Sequence, residues 1–592
     1  MHLWSLTTPA TDNLSLDDLD IAAKQGCEST LHLLQAFMGA QSTRVPRLWL
    51  ITRGANPVAA KGALSLAEVT SGMPQSPLWG MGKVIALECP EFKCVRIDLD
   101  PTHSDHEVEL LWREIDIGSL EDQVVYRDRQ RRVARLVRCS VPNTLAANQQ
   151  DGDRKQPKFQ HDGTYLITGG LGGLGLRVAH WMIELGAQTL VLIGRNSVKP
   201  TTSQQLEALI EAQKPATIKV ITRQADVTKP EVLAPIFDEI DQALPPLRGV
   251  IHAAGVLADG FLQQLAWQDF SRVLAPKVAG AWNLHQLTQS RSLDFFMLFS
   301  SVASLLGSPC QANYSAANAF LDALAHYRQA QGLPGLSINW GAWSEIGMAV
   351  KYLVERQYKI KGVGTIAPEI GLEVLSQLFS QSLPQVGVMP VDWHDLITQF
   401  PSNQTPPWLS EVAAFPKQKQ FQKLSSPQQR ERWQKLQKLK TLAGEQRYPL
   451  LLAYMQEEVS RILGLPSSQL SVQQPLNMIG LDSLMAIELR NQVGKDLNLE
   501  IPIVKFIEEP SLENLATWIN EQLEHVTTAI NTSAGEAQVE GTDTELATIS
   551  VDLKQSIQPH QAGQTLAQLE QLADEDVEQL LNAMIAGTEE PT

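Results

Sequence analysis

The chain is short of cysteine, of positive charge and of long apolar runs, and each shortage closes off a class of function. Its five cysteines, Cys27, Cys89, Cys94, Cys139 and Cys310, contain no C-x-x-C pair. Neither a disulfide framework nor a Cys/His metal site has the spacing it needs, so no metal is expected. Each thiol reads as reduced and buried. Lys and Arg number 48 against 65 Asp and Glu, a net charge of -17 that argues against nucleic acid as a partner. No apolar run approaches the ~20 residues that cross a bilayer, so no membrane partner is expected. The N-terminus carries no basic segment followed by an apolar core, the mark of a secretory signal, and the expected setting is cytoplasmic.

What is present is length and segregation. A chain of 592 residues exceeds one core and predicts about four domains at ~150 residues each. Positions 416–447 hold nine Lys/Arg against two Glu, whereas 526–592 hold twelve Asp/Glu against one Lys. Such contrasts mark linkers and protein-facing tails.

Residues 1–150 read as α/β, with strands at Leu48–Thr52 and Val95–Leu99. The turn Arg53-Gly54-Ala55-Asn56-Pro57 has no glycine-rich loop, and Pro57 opposes a phosphate-cradling helix start. Residues 151–162 are a polar linker. From 163 to 400 strands at 165–168, 190–193, 220–221, 250–252 and 295–299 alternate with helical stretches, which implies a parallel, doubly wound sheet. Residues 401–447 form a linker, 448–524 a small helical domain, 525–563 a disordered linker, and 564–586 a last helical segment. Val577, Leu580, Leu581 and Met584 make one apolar stripe there.

Thr168-Gly169-Gly170-Leu171-Gly172-Gly173-Leu174-Gly175 follows a strand and opens a helix, the context a dinucleotide loop requires. Absent side chains let the backbone approach a pyrophosphate, and the helix N-terminus favours its charge. The next strand ends at Arg195, where an acid would suit NAD; a guanidinium there suits the 2′-phosphate of NADP. A plain glycine turn and a solvated Arg are the bland alternatives. Asp226, with Val227, is a candidate contact to the adenine.

Ser301, Tyr314 and Asn318, with Lys277 upstream, turn binding into chemistry. Tyr314 and Asn318 share one helix face. Hydride delivered to a ketone leaves charge on oxygen, so a donor must follow. A phenol, whose ordinary pKa is about 10, is a slow acid unless an ammonium stabilises its anion. Ser301 can polarise the carbonyl, and Asn318 can hold a water or orient Lys277. Each residue alone would more often be structural; the set, downstream of the glycine loop, resembles the active site of short-chain dehydrogenases/reductases.

The resemblance narrows over residues 40–400, which look like the ketoreductase region of bacterial modular polyketide synthases. Ser76–Lys83, His252-Ala253-Ala254-Gly255-Val256 and Asn339-Trp340-Gly341-Ala342-Trp343 carry it. It implies an α/β fold: a doubly wound Rossmann-type ketoreductase with a truncated Rossmann-like structural subdomain, then a small helical-bundle carrier domain. It implies NADPH as cofactor, Ala253, Ala254 and Gly255 among its contacts, and a β-ketoacyl thioester as substrate. Lys277, Ser301, Tyr314 and Asn318 carry over as catalytic residues. Two departures stand out. The family's structural subdomain usually begins upstream of residue 1 here, so its first strands are expected to be missing. One stereochemical class carries Leu-Asp-Asp where this chain has Leu257-Ala258-Asp259; the opposite class carries Trp where Leu306 stands. Asp259 therefore favours the D (3R) hydroxyl.

The block Met478–Ala486, centred on Asp482-Ser483-Leu484, resembles acyl carrier proteins. That implies a covalent 4′-phosphopantetheine on Ser483, installed by a phosphopantetheinyl transferase; a simple helix N-cap is the bland alternative. The acidic tail resembles C-terminal docking domains, which implies a downstream polyketide synthase polypeptide as partner, an upstream ketosynthase and acyltransferase, and a homodimer in the assembly. Two rivals remain: a carrier and docking scaffold with a dead reductase, and a free-standing dehydrogenase acting on soluble substrates.

Overall fold

Buried runs rich in β-branched and aromatic residues assemble two separate sheets in the computed structural model. It describes residues 2–3, 14–40, 45–58, 72–102, 105–139, 159–198, 218–347, 362–397, 405–413 and 444–535, with short gaps in the later stretches and isolated positions between them. The first sheet has the order β1-β2-β3-β4-β5: β1 (His2–Leu3), β2 (Trp49–Arg53), β3 (Val95–Leu99), β4 (Gln123–Arg127) and β5 (Gln130–Val133). Its strands run parallel except for the final β4–β5 hairpin. The two strands read in the sequence are β2 and β3, buried at every position. The hairpin is an addition to that reading.

The second sheet is fully parallel, in the order β12-β11-β10-β9-β6-β7-β8. Its members are β6 (Thr164–Thr168), β7 (Thr189–Gly194), β8 (Lys219–Gln224), β9 (Leu247–His252), β10 (Phe295–Ser301), β11 (Leu336–Trp340) and β12 (Gln385–Val388). The order reverses between β6 and β9. Open parallel sheets bind ligands outside the strand carboxyl ends at such a point. This is the doubly wound Rossmann-type arrangement that the alternation implied.

The helices that position the site are α1 (Ser76–Glu88), α2 (Gly173–Glu184), α3 (Trp267–Lys277), α4 (Val302–Leu306) and α5 (Ala312–Ala330). The α1 helix belongs to the first subdomain in sequence, yet its Leu78, Met81, Val84 and Ile85 share one buried core with Ala312, Ala316, Phe320 and Leu324 of α5. Small residues on both helices permit this close approach. The first subdomain thus forms the back wall of the second.

A helical domain follows, with α6 (Gly444–Leu463), α7 (Ser483–Leu497) and α8 (Leu512–Gly535) around Leu451, Met455, Val459, Leu489, Val493 and Leu515. The α8 helix continues to Gly535, into the segment read as a disordered linker from 525. The helical segment at 564–586 lies outside the described residues. Cys27, Cys89, Cys94 and Cys310 are buried, but Cys139 is exposed, against the expectation of burial for every thiol. No described helix is long and apolar enough to cross a membrane.

Candidate active site

The turn from β6 into α2 is built by glycine where glycine is needed. Gly169 has φ +69°, and a Cβ there would lie 2.8 Å from the Ala253 carbonyl oxygen. A Cβ on Gly175 would fall 2.3 Å from the Gly169 oxygen, so the helix start can only nest on the loop without one. Gly172 caps α2, its N–H donating to Gly169 O at 3.0 Å. Gly172 and Gly173 are exposed, which leaves the helix N-terminus open to an anion. Leu171 packs on Gly194, and Leu174 is half-buried. Thr168 and His252 are register partners across β6 and β9, and their side chains share a 2.7 Å hydrogen bond. Burial holds His252 neutral, with a pKa of about 3, assisted by the nearby Lys277 charge. Ala253, Ala254 and Gly255 continue from β9 along the same edge, Ala253 N–H donating to Thr168 O at 3.0 Å.

The other cofactor candidates follow the adjoining strands. Arg195 is exposed just past β7. Asp226, after β8, accepts from Thr228 N and Oγ1 at 3.0 and 2.9 Å, and buried Val227 accepts from Asn283 Nδ2 at 3.0 Å. A nicotinamide dinucleotide fits this edge: a bare amide cradle for the pyrophosphate, with an exposed guanidinium just past the neighbouring strand.

The first sheet lacks such an edge for a structural reason. Beyond β2, Ala55 N and Asn56 N donate to the Asp98 carboxylate at 2.8 and 3.0 Å. Thr52 Oγ1 adds a bond at 2.6 Å and Arg127 an ion pair at 2.5 Å. The amides that a phosphate would use are taken by an internal anion.

The four catalytic candidates converge at the carboxyl end of β10. Ser301 ends that strand and caps α4, its Oγ accepting from Ala303 N at 3.2 Å, so its own proton remains to be donated. Tyr314 and Asn318 lie one turn apart on α5, Asn318 Nδ2 donating to Tyr314 O at 2.8 Å. Among the described residues Asn318 Oδ1 is buried without a partner, an acceptor suited to a water. Lys277 is buried at the end of α3; its ammonium donates to Phe299 O at 2.9 Å and lies 5.5 Å from the centroid of the Tyr314 ring.

Burial raises the Tyr314 phenol above its ordinary value, opposed by the Asn318 and Ser301 side chains. From sequence, Lys277 was expected to pull it down. Here desolvation outweighs the donors, because the ammonium is directed to a carbonyl rather than to the phenol oxygen. A protonated phenol is the form a proton donor requires. Burial brings Lys277 down to about 8, while Asp322 opposes the fall.

Asp322 escaped the sequence reading, although Tyr314, Asn318 and Asp322 recur every four residues on α5. It is buried and accepts from Ser304 Oγ and Ser337 Oγ at 2.6 Å each and from Asn339 Nδ2 at 2.9 Å. Asn339 Nδ2 also lies 3.3 Å from the Ser301 carbonyl, and Lys83 of α1 donates to Ser304 O at 2.6 Å. The network fixes the strand end that presents Ser301. Asp259 stands on the loop after β9, accepting from Gln311 Nε2 at 2.9 Å, beside the start of α5. Ser483 begins α7, after Gly480 at φ +101°.

Residues 163–345 match the KR domain family, 453–519 the phosphopantetheine attachment site family, and 3–136 the Rossmann fold domain of the polyketide synthase extender module SpnB. A structure described as A-type ketoreductases from modular polyketide synthase is 32% identical, with a TM-score of 0.57, over 66% of this chain and 78% of that one. The chain belongs to the modular polyketide synthases. An A1-type ketoreductase is 31% identical, with a TM-score of 0.58 and the same coverage. A phenolphthiocerol/phthiocerol polyketide synthase of Mycobacterium tuberculosis is 32% identical over 517 residues, 86% of this chain but 26% of the relative. Polyketide synthase GfsA of Streptomyces halstedii is 32% identical over 84% of this chain and 6% of its own length. This polyketide synthase chain therefore spans about a quarter or less of the length of these relatives. It carries a ketoreductase domain, an oxidoreductase, and a phosphopantetheine attachment domain.

Proposed function

We propose that the ketoreductase uses NADPH to reduce a β-ketoacyl thioester held on a 4′-phosphopantetheine at Ser483, giving the β-hydroxyacyl thioester with a D (3R) hydroxyl. The observation that carries this reading is the meeting of Ser301, Tyr314, Lys277 and Asn318 beside the Gly169–Gly175 cradle, in one chain with an attachment segment. The exposed Arg195 supports the preference for NADPH, and Asp259 supports the configuration.

Bound NADPH supplies the hydride. Ser301, its Oγ already accepting from Ala303 N, donates to the ketone oxygen and polarises it. Tyr314, kept protonated by burial, releases its proton to the oxygen as charge develops. Lys277 stands beside the ring, where its ammonium favours the phenolate left behind. The unpaired Asn318 Oδ1 offers a place for a water that returns the proton. A tethered substrate reaches these groups at an effective concentration of order mM, as linked modules do.

The domain reading accompanies it: structural subdomain 1–150, catalytic subdomain 163–400, carrier 448–524 and a docking tail at 564–586. In a cytoplasmic assembly a phosphopantetheinyl transferase arms Ser483, an upstream ketosynthase and acyltransferase supply the acyl chain, and a downstream polypeptide receives it. A homodimer is the expected form. The test is to load Ser483 with a β-ketoacyl phosphopantetheine, add NADPH and measure intact mass. A gain of two hydrogen masses supports the reading, and chiral analysis of the released acid tests the configuration. No gain favours an inactive scaffold; reduction of free ketones alone favours a free-standing dehydrogenase.

A further inference from the structure

The last carbonyls of α1 meet the carrier. Helix C-termini leave carbonyls without intrahelical partners and carry partial negative charge, so they welcome a cation. Arg490 of α7 supplies one, with Nη1 donating to Glu88 O at 2.9 Å and Nη2 to Leu87 O at 2.8 Å. Asn491 Oδ1 accepts from Arg490 Nε and Nη2 at 3.1 and 2.8 Å, which aims the fork. Arg490 is 6% exposed, and the acids that support its charge, Glu91 and Glu88, lie at the end of α1 rather than in its own domain.

The same helix end is tied to the substrate side of the ketoreductase. The Glu88 carboxylate, 1% exposed, accepts from Leu262 N at 2.8 Å and Cys310 N at 2.7 Å. Leu262 follows the loop that carries Asp259, and Cys310 stands four residues before Tyr314. Phe261 and Cys310 lie in one buried apolar cluster with the carrier's Leu481, Ile487, Leu489 and Val493. Three segments therefore meet at Glu88: the end of a structural helix, the loop pair flanking the catalytic helix, and the carrier helix that starts at Ser483. Arg490 lies seven residues along that helix, roughly 10 Å from its start at 1.5 Å per residue.

We propose that this corner is the delivery dock for the chain's own carrier, with Arg490 clipped to the α1 carbonyls and Phe261 and Cys310 forming its apolar seat. The inference rests on the reading of a tethered substrate and adds where the tether is anchored during reduction.

The test compares full-length wild type with Arg490→Glu and Arg490→Lys. Each is loaded at Ser483 with a β-ketoacyl phosphopantetheine, and each is also given a diffusible β-ketoacyl N-acetylcysteamine thioester. Arg490→Glu, which sets an anion against the carbonyls, is expected to slow tethered reduction about tenfold or more relative to diffusible reduction. Arg490→Lys, with a point charge in place of a fork, is expected to fall between. Small-angle scattering should show a larger radius of gyration for Arg490→Glu as the carrier comes away. An unchanged ratio of the two rates, or a faster tethered rate, overturns the dock. Equal loss on both substrates also overturns it, since the contact would then be structural alone. Failure of wild type itself to reduce the tethered substrate counts instead against the functional reading.

Discussion

Gly80 of α1 lies against Ser315 of α5 so closely that a Cβ on it would fall 2.3 Å from the Ser315 carbonyl oxygen. Ser315 is the neighbour of Tyr314. The helix that carries Tyr314 is therefore seated on α1 by backbone-to-backbone contact. Gly80→Ala must force the helices apart, and overpacking of this kind costs about 1–3 kcal/mol. The expected outcome is a lower unfolding temperature together with a lower rate on diffusible substrate. An alanine variant with wild-type stability and rate would show that the seat yields freely.

Asp322 links the position of Ser301 to the charge of Lys277. It is the carboxylate that opposes the desolvation of Lys277, whose pKa stands near 8. An ammonium with that value is charged below about pH 8 and neutral above it, so reduction should decline as pH rises through that window. Asp322→Asn removes the opposing charge and lowers the lysine value further. Its alkaline limb is then expected at lower pH than in wild type, in a profile of kcat against pH. A purely structural role for Asp322 would reduce kcat without moving the limb.

The placement of the motif-bearing segments was legible because element ends are marked locally. The glycine loop, the Ser301 and Tyr314 pair and the carrier block each sit at a strand or helix end that the alternation of apolar runs marks out. What stayed hidden is long-range. Gly80 reads as an unremarkable helix residue until α5 is placed on it, and Asp322 reads as a helix-face acid until Ser304, Ser337 and Asn339 close around it. The Arg490 contact spans about four hundred residues of sequence, and no periodicity announces it. Direction was misjudged once: a lysine near a tyrosine in sequence logic donates to the Phe299 carbonyl in space, so burial governs the phenol.

Arg195 stands exposed at the end of β7, where cofactors are told apart by the group on the adenosine ribose. A charge-assisted hydrogen bond contributes roughly 1.5–3 kcal/mol, hence about a tenfold to hundredfold preference. Arg195→Asp should shift the ratio of kcat/KM from NADPH toward NADH by that order. An unchanged ratio in steady-state kinetics removes the phosphate assignment and leaves Arg195 a solvated residue.

Asp98 and Arg127, both buried, hold the first sheet where a phosphate would otherwise sit. Removing one partner of a buried pair leaves the other uncompensated and costs about 3–5 kcal/mol. In Asp98→Ala the amides of Ala55 and Asn56 also lose their acceptor. The destabilisation should spread to catalysis, since α1 packs between this sheet and α5. Thermal unfolding should show the loss directly, and NADPH binding by fluorescence should remain at one site per chain. A second nucleotide site appearing in Asp98→Ala would mean that the internal carboxylate alone had kept the first subdomain closed to phosphate.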